Sequence, residues 1–279
     1  MVSVNTNIGA LVALQNLNST AGQLTTTQQR ITTGLAVSSA KDNGGLFAIA
    51  QNLRADVGSL TAVKQSLDRA NSAVDVAISA GQTVSDLLVE MKQKSIAAAD
   101  SSLDAASRSA LNEDFKSLRD QVQTVVDNAS FNGVNLLDGT GTTGGKLSAI
   151  ADAKQQSHID VNVENLSYGG GTLTISSTQQ VDTQANASTT AASIDTSLAN
   201  VNKALARLGT GSKKLSLHQT FVSKLSDTLT AGIGNLVDAD LAVESAKLQS
   251  LQVKQQLGVQ ALSIANQAPQ TLLSLFQSG

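Results

Sequence analysis

The chain has 279 residues and a formal net charge of −3, too mild an imbalance to indicate a nucleic-acid partner or an anionic membrane surface. It contains no cysteine, which rules out a disulfide framework and a thiol nucleophile. Aromatic residues make up 2%, with no tryptophan and one tyrosine, Tyr168, and the one proline is Pro269. Buried area must therefore come from Ala, Leu and Val along helix seams, and the chain before residue 269 is free to form very long helices. No run approaches the ~18 apolar residues of a membrane-spanning helix. The opening Met1–Asn7 lacks the basic and long apolar regions of a cleavable export signal, which fits either the cytoplasm or a route of export that needs none.

In chain order, residues 1–40 carry one charged side chain, Arg30, on a helical seam of Leu14, Leu17, Ala21, Leu24, Gln28, Ile31 and Leu35. The next seam runs Leu46, Ile49, Leu53, Asp56, Leu60, Val63, Leu67, Ala70, Val74, Ala77, Gly81, Val84, Leu88, Met91, Ser95 and Ala98. This three-four spacing predicts a coiled-coil helix roughly 80 Å long at ~1.5 Å per residue. A shorter series follows at Leu111, Phe115, Leu118, Val122, Val125 and Ala129.

Between 130 and 190 the period changes. Phe131-Asn-Gly133 and Asp138-Gly139 are turn signals. Ile159–Val163 and Thr172–Ser176 alternate with period two and predict strands, with Gly169–Gly171 as a hairpin or loop between them. This segment is expected to contribute nothing to the long seams. The helical period returns at Ile194, Leu198, Val201, Leu205, Leu208, Ser212, Leu215, Gln219, Val222, Ser226, Leu229, Ile233 and Leu236. Residues 248–279 again hold one charge, Lys254. Their seam is Leu248, Leu251, Leu262 and Ala265, interrupted by Gln255 and Gly258, with a second stripe at Val253, Leu257 and Ile264. Helices with two apolar stripes and no charged face need neighbours on several sides. Charged groups are avoided in buried positions, whereas neutral polar groups are tolerated when hydrogen-bonded. The uncharged ends are therefore expected to be buried in an assembly.

Catalytic signatures are nearly absent. In Gly139–Lys146 a phosphate loop would need glycine where Thr140 stands and Ser or Thr where Leu147 stands. His158 and His218 lie in no metal-ligand pattern, Asp238 and Asp240 suit a helix start, and the Asn-x-Ser/Thr triplets at Asn18, Asn128, Asn165 and Asn186 reflect composition. No enzyme activity, cofactor or metal is expected.

Seven stretches together resemble bacterial flagellin. They are Val4-Asn-Thr-Asn7, Ala13-Leu-Gln-Asn-Leu17, Ser38-Ser-Ala-Lys-Asp42, Phe131-Asn-Gly-Val-Asn-Leu-Leu137, Ile233-Gly-Asn-Leu-Val-Asp-Ala-Asp240, Ala265-Asn-Gln-Ala-Pro-Gln270 and Leu272-Leu-Ser-Leu-Phe276. They occur in family order and span nearly all of the chain outside 140–190. The resemblance implies a mainly α fold, a long antiparallel coiled-coil rod built from a hairpin-shaped chain with a small β insertion. Residues 1–42 and 239–279 would form the inner polymerising domain, 43–130 and 190–238 the rod, and 131–189 an outward β-rich segment.

It further implies an assembly interface including Leu14, Leu17, Leu24, Ile31, Leu248, Leu251, Leu262, Leu275 and Phe276, and a domain junction at Lys41, Asp42, Asn43, Gly44 and Gly45. There, family members often carry Ala-Ala in place of the two glycines, so the junction is expected to be looser or more sharply turned. An innate immune receptor reads a stretch on the first long helix of many flagellins; here it is altered to Glu90, Lys92 and Gln93. Implied partners are further copies of the chain, an export chaperone at the C-terminal helix, and hook-associated and cap proteins, with no nucleic acid and no membrane insertion. The implied location is the extracellular filament, reached without a cleavable signal peptide. A hook–filament junction protein and a flagellin-type surface adhesin are the alternatives.

Overall fold

In the computed structural model the described residues are 6–140 and 144–277, with helical side chains described as far as residue 267. The elements are α1 (Ile8–Thr33), α2 (Gly44–Ala98), α3 (Ala105–Asn128), β1 (Ser130–Phe131), β2 (Val134–Asn135), β3 (Lys146–Ile150), β4 (His158–Asn162), α4 (Gln184–Val237) and α5 (Leu241–Gln277). The chain divides into two compact units, 1–55 with 228–279, and 56–227.

The second unit is a bundle organised by heptads. Every predicted α2 seam position from Leu60 to Ala98 is buried, Gly81 and Ser95 included. Ser95 is tolerated there because its hydroxyl donates to the Met91 carbonyl at 2.9 Å. Helix α4 runs antiparallel beside α2. Lys92 pairs with Asp195 at 2.5 Å, the Ser212 hydroxyl donates to Asn71 Oδ1 at 2.9 Å, and Leu205 fills the space over Gly81, where a Cβ would come within 2.8 Å of it. Helix α3 returns along α2: Lys94 meets Asp114 at 2.6 Å, and Arg108 Nε donates to the Ala98 carbonyl at 2.8 Å. The turn between them is fixed by Asp100, which accepts from the Ser102 N–H, and by Asp104, which caps α3 through the Ser107 N–H.

Two seams differ from the sequence expectation. On α4 the heptad Ala187, Ile194, Val201, Leu208, Leu215 and Val222 is buried, but its companions are the small residues Thr190, Ser197, Ala204 and Gly211. The larger Leu198, Leu205 and Ser212 are only half-buried. On α3 the buried face is Asn112, Phe115, Val122, Val126 and Ala129, with Leu111, Leu118 and Val125 at its edge. In both helices polar or small residues take the central positions because something other than a leucine-bearing helix packs there.

That something is the central segment. β1 and β2 form a hairpin closed by Asn132 and Gly133, both at positive φ (50° and 78°), as a two-residue turn of this type requires. The expected strand at Ile159–Val163 is present as β4, paired antiparallel with β3, which the sequence reading did not anticipate. Thr172–Ser176, in contrast, is not a strand. No second strand lies beside it; its Leu173 and Ile175 are buried against the bundle. The Thr174 N–H donates to Ser197 Oγ at 2.9 Å, and Asn200 Nδ2 donates to the Thr172 carbonyl at 3.1 Å. Period-two alternation here reflects extended chain docked on a helix, whose side chains satisfy its backbone in place of a β ladder.

The same docking recurs along the segment. Val161 lies over Gly211, where a Cβ would come within 2.8 Å of its Cγ1. Ile150 N–H donates to Ser66 Oγ (3.1 Å), Gln179 Nε2 to Thr190 Oγ1 (2.7 Å) and Val181 N–H to Asn112 Oδ1 (2.8 Å). The segment is a third layer of the bundle, contrary to the expectation that it adds nothing to the seams. Tyr168 anchors it to α3 by donating to the Arg119 carbonyl at 2.6 Å, and burial pushes its phenol pKa well above the ordinary value.

Helix propensity alone would favour Gly211→Leu by roughly 0.8–1 kcal/mol. The overpacking against Val161 should outweigh that, at about 1–3 kcal/mol. A net fall in the thermal unfolding midpoint is expected, together with an alkaline titration of Tyr168 that moves down from its raised position toward the ordinary value of about 10. A stabilised variant with an unmoved tyrosine titration would contradict the docking.

Candidate assembly surface

In the first unit α1 and α5 pair antiparallel. Asn7 caps α1 by accepting from the Ala10 N–H at 3.0 Å, and its Nδ2 donates to the Ala265 carbonyl at 2.6 Å. Leu17 fits against Gly258, where an added Cβ would lie 3.2 Å from Leu17 Cδ1. Near the other end Arg30 meets Glu244 at 2.9 Å. Gly34 ends α1 in the left-handed region (φ 72°), its N–H donating to the Arg30 carbonyl. Its own carbonyl accepts from Ala239 N–H at 2.9 Å. Asp240 then starts α5 by accepting from the N–H groups of Ala242 and Val243, the helix-start role expected of it.

This pairing uses much of the expected assembly interface within the subunit. Leu251 is buried, and Leu17, Leu24, Ile31, Leu248 and Leu262 are half-buried on the α1/α5 seam. Leu14 is exposed. Leu275 and Phe276 fall in α5, with side chains outside the described residues. The apolar side chains left facing outward are others: Ile8, Leu11 and Val12 on α1, and Val253, Leu257, Val259 and Ile264 on α5, each more than half exposed. Val253, Leu257 and Ile264 are the second stripe anticipated from the sequence; Ile8, Leu11 and Val12, at i, i+3 and i+4, form the matching one on α1.

The polar residues around them are chemically quiet. Thr20, Thr25, Thr26, Thr32 and Thr33 each turn the hydroxyl back onto the carbonyl four residues earlier, at 2.8–3.1 Å. Their one donor is already satisfied, so the surface they present can lose water at low cost. Sequence reasoning found the neutrality of α1 but not this; the signal available was the density of threonine in a helical register.

At the junction Asp42 gathers four donors, the N–H and hydroxyl groups of Ser38 and Ser39, at 2.9–3.2 Å. The Ser38 hydroxyl and these neighbours hold its carboxyl below the usual carboxylate pKa. Lys41 is exposed, and Asn43 accepts from the Leu46 N–H at 3.1 Å. Gly44 and Gly45 begin α2 in ordinary helical conformation. The Ser38–Asp42 turn shapes this connection, and the two glycines continue it as helix. On α2, Glu90 and Gln93 are exposed, whereas Lys92 is half-buried in its pair with Asp195.

Among the described residues no cluster of three or more His, Cys, Asp or Glu could hold a metal ion. Among the same residues, no helix is long and apolar enough to cross a membrane. His158 is exposed, and His218 Nε2 lies 2.7 Å from the Ala151 carbonyl. The charged cleft between β4 and α4 is internally paired: Arg207 grips Glu164 through two bonds, at 2.6 and 2.5 Å, and Asp160 takes Lys146 and the Ser148 hydroxyl.

A Cβ at Gly44 meets nothing within 4 Å, and one at Gly45 makes an ordinary 3.6 Å contact. Gly44→Ala and Gly45→Ala should each stabilise the folded chain by about 0.4–1 kcal/mol, by reducing the freedom of the unfolded chain. Denaturant unfolding of the double variant measures this; a lowered midpoint would mean that the glycines serve a conformation other than this helical one.

Residues 4–142 match the bacterial flagellin N-terminal helical region, and residues 191–276 the bacterial flagellin C-terminal helical region. Flagellin FljM of Caulobacter vibrioides is 55% identical over 275 residues, covering 99% of this chain and 98% of its own length. The flagellin of Brucella melitensis is 36% identical, covering 99% of this chain and all of its own length. In fold, the chain is similar to a flagellar hook-associated protein of Vibrio parahaemolyticus, with a TM-score of 0.58 at 18% identity, over 71% of this chain and all of that one. With both helical regions matched and near-complete coverage of its relatives, the chain belongs to the bacterial flagellin family.

Proposed function

We propose that this chain serves motility as a structural subunit that polymerises into the flagellar filament through the outward apolar faces of α1 and α5. The observation that carries the reading is the pair of stripes at Ile8, Leu11 and Val12 and at Val253, Leu257 and Ile264, exposed in one subunit, with self-satisfied threonines along α1 and Lys254 as the one charge of residues 248–279. Apolar patches of this kind are unusual on a protein that stays alone. Residues 1–42 with 239–279 then form the inner polymer core, 43–130 with 190–238 the rod, and 131–189 the part facing away from it. Before assembly the α5 stripe and the Leu272–Phe276 tail need cover, which an export chaperone that docks an amphipathic helix in an apolar groove would supply. Hook-associated and cap proteins would meet the same faces at the filament's two ends, and export would proceed without a cleavable signal. The junction-protein and adhesin readings have no observation of their own to favour them.

Removing residues 248–279 should leave a helical second unit that forms no filaments by electron microscopy and is no longer captured by the chaperone. Leu257→Glu, which places a charge on the outward stripe without touching the α1/α5 seam, should block assembly in the full chain. Filaments from either protein would overturn this reading.

The receptor stretch follows from the same relationship. A receptor that expects arginine at the first of these positions meets Glu90, and like-charge contact at an interface costs up to several kcal/mol. Lys92 is engaged by Asp195. Weak receptor activation is expected from the monomer, rising in the Glu90→Arg, Gln93→Glu double variant. Strong activation by the unmodified chain in a reporter assay would contradict the assignment.

A further inference from the structure

Arg30, the sole charge of residues 1–40, does not serve the outer surface. It reaches into the α1/α5 seam, where Nη1 donates to Glu244 Oε1 at 2.9 Å. Glu244 is 8% exposed, and Thr27 beside it is 1% exposed. Arg30 Nε and Glu244 Oε2 are both buried and lack a hydrogen-bond partner among the described residues. A buried carboxylate and a half-buried guanidinium, each partly satisfied, are an unfavourable way to stabilise a helix pair, since apolar residues of similar volume often do as well or better. Their placement does suit both helix dipoles, a cation in the last turn of α1 and an anion in the first turn of α5.

The rest of the helical seam is neutral and distinguishes registers by shape alone, as where Leu17 meets Gly258. On α5 it reads Glu244, Leu248, Leu251, Gln255, Gly258, Leu262 and Ala265, opposite the similarly neutral face of α1. Sliding α5 by one heptad places Gln255 for Leu248, Gly258 for Leu251, Leu262 for Gln255 and Ala265 for Gly258, all neutral exchanges. Charge pairing changes at one place: Leu251 would stand where Glu244 does, Arg30 would face it, and the Glu244 carboxylate would keep only Lys247 of its own helix nearby. A single polar feature in an apolar seam is an effective register device because every alternative leaves it unpaired.

We propose that Arg30 and Glu244 are a positioning pair that, together with the backbone bonds joining residues 34–37 to 237–239, sets the register of α1 against α5, and so aligns the two outward stripes for assembly. The register claim concerns one subunit; its consequence for assembly rests on the function proposed above.

The absence of native cysteine provides the test. A Cβ at Gly258 lies 3.9 Å from Leu17 Cβ, within the span of a disulfide. Leu17→Cys with Gly258→Cys therefore reports the observed register, and Leu17→Cys with Ala265→Cys reports the one-heptad slip that brings Leu251 to Arg30. Each pair is oxidised in the full-length monomeric chain, and intrachain product is read on non-reducing gels. With Arg30 and Glu244 present, the observed-register pair should close at least tenfold more than the slipped pair. In an Arg30→Met, Glu244→Leu background that ratio should fall by about tenfold or more, while helical content and unfolding midpoint are kept or raised, which a merely stabilising pair would not allow. Glu244→Gln alone should move the ratio the same way and serves where the double variant does not fold. An unchanged ratio in a folded variant overturns the proposal. Loss of filaments from a chain locked by the 17–258 disulfide would count against the assembly reading and leave the register claim standing.

Discussion

The structure depends on keeping charge away from surfaces that must become dry. A carboxylate or ammonium group resists losing water unless it finds a partner, while a hydroxyl bonded to its own helix does not. Helices α1 and α5 follow this rule residue by residue. Threonines return their hydroxyls to the backbone, and the single arginine of the first forty residues is consumed by a buried glutamate. What remains outward is apolar or neutral except for Lys247 and Lys254 on α5. One helix partner covers one stripe of each helix, and a second stripe stays exposed. An isolated subunit has no means of covering it, so the chemistry of the two ends already calls for further copies.

The second unit meets a different demand with the same economy of side chains. Its long helices need a third layer along their whole contact, and α3 supplies one over only part of it. Elsewhere the layer is extended chain, admitted by Thr190, Ser197, Ala204 and Gly211 on α4 and fastened by hydrogen bonds from helix side chains to its backbone. The central segment therefore works as packing as well as decoration. The bundle has a packing use for the stretch near Val161, Leu173 and Ile175.

Much of this was legible in the sequence. Sixteen seam positions announced α2, and the burial of all those from Leu60 onward shows how well a 3.5-residue period predicts a core. The Asn132-Gly133 turn, the Asp240 helix start and the two-striped α5 were readable because each depends on local chemistry. The illegible parts depended on partners far away in the chain. Thr172–Ser176 reads as a strand until its neighbour is known to be a helix. Leu198 and Leu205 outrank Ser197 and Ala204 on any hydrophobic scale, yet the smaller residues are the buried ones, because the docking segment leaves room for little else. At the surface, Leu17 and Leu251 looked like assembly residues, but the subunit's own helix pair occupies them. The second stripe is the one left exposed.

The central claim is that the outward stripes of α1 and α5 are the faces that polymerisation covers. Residue-level hydroxyl-radical footprinting of the same preparation as monomer and as filament tests it directly. Ile8, Leu11, Val12, Val253, Leu257 and Ile264 should be labelled in the monomer and strongly protected in the filament, with Leu251 protected in both. Equal labelling of Val253, Leu257 and Ile264 in the two states would contradict the account.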